Sequence, residues 1–215
     1  LLRELAIPFV LFAGIGLLVI MKGKGYLGAS YEPLVQSLLQ QMDAARHELD
    51  ARDLYPLSVI NQGWLFFRYL LVWLVPYTGW MSIDLRPSFP TRFLSWPYSL
   101  GFAAYLAYAL FAAVLIRKGG KRGLLGFGLL YPWLLGLTEI ATVRIQEPFV
   151  LYRSYLWMSG LAAILPAVLW RLQARWSVAV LSGACAALIP PLLDRLDTFS
   201  SATKLWSDVV RKNTG

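Results

Sequence analysis

Arg117-Lys118-Gly119-Gly120-Lys121-Arg122 divides two long apolar runs, Trp96 to Ile116 and Leu124 to Val143, and no acid accompanies its four cations. A second basic stretch, Arg171 to Arg175, divides two more, Leu156 to Trp170 and Trp176 to Leu193. A hydrocarbon core of ~30 Å needs about 20 apolar residues per helix, so runs of this kind read as bilayer spans. Short loops rich in lysine and arginine stay on the cytoplasmic side. Both basic stretches are therefore expected in the cytoplasm. The alternate segments, Arg144 to Tyr155 and the tail from Asp194 to Gly215, are expected outside it.

Composition agrees with a membrane chain. Of the 215 residues 58% are hydrophobic and 15% charged, and the mean hydropathy is +0.56. A water-soluble fold could not hide that much apolar surface. In a soluble domain a net charge of +8 would point to nucleic acid. Here the cations sit in short loops between apolar runs, so the expected partner is the lipid bilayer and no nucleic acid. The expected fold is an all-α, polytopic transmembrane bundle of about five spans, Leu5 to Met21 being the first, plus a re-entrant or interfacial helix. Residues 1–195 form the membrane domain and 196–215 an external helix. The chain opens on Leu1, and its first apolar run is followed by Lys22 and Lys24 instead of a small-residue cleavage site, which reads as a piece of a larger protein and not as a signal peptide. The single cysteine, Cys185, lies within an apolar run and is expected as a small residue at a helix contact. It offers neither a disulfide framework nor a metal-ligand cluster.

One apolar stretch, Trp64 to Ile83, is ambiguous. Pro76 and Gly79 interrupt it, and Trp64, Trp73, Tyr77 and Trp80 give it the aromatic weight of an interfacial element. A hairpin that dips in and returns leaves segment 22–61 external, whereas a full crossing places that segment in the cytoplasm; the hairpin is the reading adopted. Within the segment, Leu34, Leu38, Met42, Ala45 and Leu49 follow helical spacing and predict a surface-lying amphipathic helix, with His47 as a solvated histidine. Beyond the last span, Ser200 or Ser201 can cap a short helix carrying Leu205, Trp206, Val209 and Val210.

Charges at membrane depth are costly and mark candidate sites. Glu139 lies near the external end of its span and can pair with Arg144 or with Arg153 across the loop. The run from Arg144 through Glu147, Tyr152 and Arg153 to Tyr155 gathers two guanidinium groups, a carboxylate and two phenols at one bilayer surface. Guanidinium forks suit phosphate oxygens. Asp84 follows the interrupted stretch with Arg86 and Arg92 behind it, and can orient a hydroxyl or cap an interface. Arg68, four residues past Trp64, reads as a snorkelling or cation–π anchor. Gly123, Gly126 and Gly128 permit close helix packing.

Three segments carry a resemblance. Gln62-Gly-Trp-Leu-Phe-Phe-Arg-Tyr-Leu-Leu-Val-Trp-Leu-Val-Pro-Tyr77, continuing to Met81-Ser-Ile-Asp84, resembles the transmembrane-and-TPR protein O-mannosyltransferases and their bacterial relatives, where an arginine-, tyrosine- and leucine-rich tract leads through a proline to Ser-x-Asp. Phe149-Val-Leu-Tyr-Arg-Ser-Tyr-Leu-Trp157 looks like their tyrosine-bearing external loop, and Lys204-Leu-Trp-Ser-Asp-Val-Val-Arg-Lys-Asn213 like the helix that introduces their TPR array. The matches keep the family's order over roughly residues 60 to 215.

The resemblance implies a GT-C-type glycosyltransferase that passes a sugar from a polyprenyl-phosphate carrier to a protein hydroxyl, in a multi-pass protein of a bacterial inner membrane with a periplasmic tail. A TPR region following that tail would meet the protein acceptor. By the same carry-over Asp84, Tyr152, Arg153 and Tyr155 would border the donor cavity, Glu147 is expected beside them, and Arg144 and Arg153 are expected to hold the carrier phosphate. No metal or other cofactor is implied beyond the lipid-linked sugar. The sequence departs from the family in having no acidic motif in a first external loop, and the eukaryotic relatives carry an arginine where this chain has Phe149. A transporter or channel, a non-catalytic anchor for a TPR scaffold, and a lipid-linked polymer ligase or polymerase are the alternatives. Paired interrupted helices in inverted halves would mark the transporter.

Overall fold

The computed structural model describes residues 52–145 and 148–213. The expectations for the Leu5 to Met21 span, the amphipathic helix over 34–49, His47 and Glu147 lie outside those residues. The described chain is all-α: α1 Leu54–Leu74, α2 Tyr98–Lys118, α3 Gly120–Ile140, α4 Met158–Ala162, α5 Ile164–Leu169, α6 Ala174–Thr198 and α7 Ala202–Asn213, with 3-10 turns at Thr78–Trp80 and Leu151–Trp157. Four of these helices, α1, α2, α3 and α6, are long and apolar enough to cross a membrane.

The ambiguous stretch belongs to a helix that begins before its apolar run and ends ahead of Pro76. The helix starts ten residues before Trp64 and runs unbroken to Leu74. Pro76 and Gly79 follow it and do not divide it, because the residue before a proline is driven to extended backbone, as Val75 is at φ −125° and ψ 87°. Asn61 is fully buried and the Gln62 amide donates to the Pro148 carbonyl at 2.9 Å. Gly63 lies against Phe102 and Gly101 against Trp64, where a side-chain carbon on either glycine would come within 2.8 Å of its neighbour.

α2 and α3 form an antiparallel hairpin. Its turn is made by Gly119 and Gly120, both at positive φ (67° and 53°), a conformation that side chains resist. Gly126 sits on the Ala112 carbonyl and Tyr105 stacks on Trp133, so the pair is closed along its length. Pairings between α1 and α2 rise together: Phe66 meets Tyr105 and Tyr108, and Phe67 meets Tyr108. α1 therefore runs alongside the first half of α2 and in the same direction, and residues 75–97 must return to the end from which α2 starts. The core is aromatic, built from Phe66, Tyr69, Tyr105, Phe149 and Trp157 with Leu65, Val72 and Leu85.

The expected span Leu156 to Trp170 is broken into a 3-10 turn and two short helices. Pro166 has no N–H for the Ala162 carbonyl, which accounts for the break at Ala163. This broken segment packs on α3 through Gly160 beneath Tyr131 and through Ile164 against Gly128. Both basic stretches end up together, with the Lys121 ammonium 3.9 Å from the Trp170 ring centre. α6 buries only Thr198 along its length, so its apolar surface is exposed among the described residues. Cys185 is exposed there, a correction to its expected place at a helix contact.

Candidate functional site

The end of the bundle remote from the basic stretches gathers the polar chemistry. α6 leaves the Arg171 to Arg175 stretch and rises ~1.5 Å per residue, so Arg195 lies roughly 30 Å from it. Around this distal end lie the loop 141–157, the returning segment 75–97 and α7.

The loop is stitched along α1. The Arg144 N–H donates to Ser58 Oγ at 3.0 Å, the Val150 N–H to the Tyr69 hydroxyl at 2.8 Å, and Trp73 Nε1 to Ser154 Oγ at 2.8 Å. Phe149 stacks on Tyr69 with ring centres 4.2 Å apart, and an isolated antiparallel bridge joins Leu85 to Phe149. Glu139, 5% exposed, ends α3 beneath this loop. Its Oε2 lies 3.7 Å from Arg144 Nε and 3.5 Å from Arg153 Nη1. The pairing foreseen as a salt bridge is thus present, with one carboxylate shared by both arginines. These separations are ion-pair contacts, longer than charge-assisted hydrogen bonds of about 2.7 to 2.9 Å.

Asp84 lies elsewhere. Arg86 forks onto its carboxylate, with Nη2 to Oδ2 at 2.8 Å, and Asn213 grips its backbone, donating to the Asp84 carbonyl at 2.8 Å and accepting from the Arg86 N–H at 3.0 Å. Asp208 of α7, 6% exposed, receives Arg195 Nη1 at 3.1 Å, Lys212 Nζ at 2.8 Å and Arg211 Nη2 at 2.9 Å. Lys212 also donates to the Thr78 and Met81 carbonyls, and Arg195 to that of Met81. Burial pushes the Asp208 carboxyl up, but the bonds from Lys212 and Arg195 outweigh it and hold the group below the usual aspartate range. Burial lowers the Lys212 ammonium, with Asp208 opposing. The expected tail helix is present, with Ser201 Oγ accepting from the Lys204 N–H at 3.2 Å. This charge clasp fixes it to the 78–86 segment.

Tyr152 and Tyr155 line an apolar cleft of 460 Å³ together with Trp73, Ile83, Leu151 and Phe199. Ser82, Met81 and Arg195 complete its wall. Arg153 lies 5.9 Å from the centre of the Tyr152 ring, behind the cleft lining. Of the residues singled out in the sequence, the structure brings Tyr152 and Tyr155 to the cleft, ties Arg144 and Arg153 to Glu139, and sets Asp84 on the α7 side. Sequence reasoning missed Arg195, Trp73 and Phe199. Arg195 and Asp208 are thirteen positions apart across a helix break, a spacing that carries no periodic signal. No family model matches the chain, and neither a curated protein nor a solved structure does.

Proposed function

We propose that this chain forms the carboxyl-terminal half of the membrane domain of a GT-C-type glycosyltransferase, which takes a sugar from a polyprenyl-phosphate carrier and passes it to protein hydroxyls outside the cytoplasm. The observation that carries the reading is the cleft: the tyrosine tract that bears the resemblance forms the wall of an apolar cavity at the end remote from the basic loops. By the positive-inside rule that end faces outward, where a flipped lipid-linked sugar is met. Leu151, Ile83 and Phe199 suit an isoprenoid chain, the two phenols suit a sugar, and Arg153 beside Tyr152 suits the phosphate. Asp84 stands outside this cleft with its carboxylate held by Arg86, so the reading gives it no part in the transfer. The α7 helix, clasped to the same end, leads to a TPR region that meets the acceptor.

The test is transfer from a polyprenyl-phosphate sugar by the intact protein. Ile83→Trp, which fills the cleft, is expected to raise the donor KM about tenfold or more, and Arg153→Ala to lower kcat/KM by a similar factor. Unchanged turnover and donor affinity in both variants would exclude the assignment.

A further inference from the structure

Arg68 is the charge that the reading above leaves unused. It sits in the apolar helix α1 with its guanidinium 5.2 Å from the Phe149 ring centre, and among the described residues it makes no ion pair with a carboxylate. A cation held at an apolar surface without a counter-charge is costly, so its surroundings decide what it is for. Two cavities share it. One, of 350 Å³, is polar at its rim, where Arg86, Ser88 and Asn213 stand. The other, of 310 Å³, is apolar and aromatic, walled by Trp64, Phe67, Leu71 and Trp80. Leu71 and Trp80 are exposed, so this second cavity opens onto the outer surface of the bundle.

Neighbouring cations are already engaged. Lys212 gives its three donors to Asp208, Thr78 and Met81, and Asp84 answers Arg86. Of the cations lining these two cavities, Arg68 is the one with no carboxylate partner among the described residues. Its fork matches phosphate oxygens, and the exposed Ser88 hydroxyl, bonded to Tyr98 at 2.6 Å, can turn to donate to the same anion. Arg68 and Trp73 lie five positions apart, about 140° around the helix, so this site and the tyrosine cleft occupy different flanks of α1.

We infer that Arg68 anchors the phosphate head of an anionic amphiphile whose apolar tail lies over Trp64, Phe67, Leu71 and Trp80. The site rests on residues other than those of the cleft and stands whether or not the chain belongs to a transferase. A phosphate-bearing isoprenoid and a membrane phospholipid share this chemistry, and competition separates them.

The experiment is scintillation-proximity binding of labelled farnesyl phosphate to the intact protein in a neutral maltoside detergent. Arg68→Gln is expected to weaken binding roughly tenfold or more, with Arg68→Lys between the two because a point charge replaces the fork. Uncharged farnesol is expected to bind Arg68→Gln and the unsubstituted protein alike. Effective competition by phosphatidylglycerol identifies a phospholipid site; its failure, with farnesyl phosphate retained, identifies an isoprenoid site. Should Arg68→Gln not fold, the exposed Ser88→Asp places a carboxylate at the rim and is expected to weaken binding by a similar factor. Undiminished affinity in these variants overturns the inference, as does competition by inorganic phosphate as strong as that of farnesyl phosphate. Binding that is lost with Ile83→Trp but kept with Arg68→Gln belongs to the cleft and overturns it too.

Discussion

The two charge clusters at the distal end are built alike and closed differently. Each centres on one buried carboxylate facing several cations, yet the Asp208 clasp has contacts of 2.8 to 3.1 Å whereas the two Glu139 contacts are 3.5 and 3.7 Å. Asp208 and Lys212 belong to one helix at i and i+4, so the pair is set before tertiary packing, and the Thr78 and Met81 carbonyls absorb the remaining donors of Lys212. Glu139 instead meets arginines on a loop whose own position depends on α1. The close-knit cluster suits a fixed joint. The Glu139 cluster, by contrast, joins α3 to the 144–153 loop, so it holds two elements together instead of closing one helix end.

Four changes would break or sharpen that contrast. Asp208→Ala leaves Arg195 and Lys212 half-buried without their partner and is expected to cost about 3 kcal/mol, seen as undocking of α7 by hydrogen exchange over Ala202–Asn213. Acid is expected to do the same reversibly. The folded-state pKa of Asp208 is depressed, so its contribution is present above the unfolded aspartate range and lost as pH falls below it through the folded value. Exchange protection in α7 should therefore drop below about pH 4 in the unsubstituted protein and show no such step in Asp208→Ala. Glu139→Gln acts on longer contacts and is expected to cost about 1 to 2 kcal/mol of thermal stability, less than Asp208→Ala. An equal or larger loss would mean that the Glu139 cluster is the firmer of the two. Lys204→Ala removes an exposed pair with Asp197 and is expected to change stability by less than ~0.5 kcal/mol in the same melting assay.

Much of this architecture could be read along the chain, and the misreadings have physical causes. The basic hairpin turn, the α2 and α3 spans and the capped tail helix were all legible, because apolar run length and loop charge are local properties. The start of α1 was not: the apolar run begins at Trp64, and that the polar Gln62 belongs to the helix before it follows from its bond to the Pro148 carbonyl. The broken segment after Leu151 was read as one span because its apolar content is continuous, while the effect of Pro166 depends on which carbonyl stands one turn before it. At the site, Arg144, Arg153 and Glu139 could be paired from position alone. That Arg195 closes the wall of the tyrosine cleft, and that Arg68 stands between two cavities, could not.

By itself the sequence determined that the chain is a helical membrane protein and where its basic loops lie, since hydrocarbon thickness and loop charge act on each segment separately. Tertiary structure alone decided that Arg195 reaches Asp208, that Arg68 has no carboxylate partner among the described residues, and that α1 runs beside α2 with an irregular return between them. Those outcomes depend on contacts between residues far apart in the chain, and no local pattern encodes them.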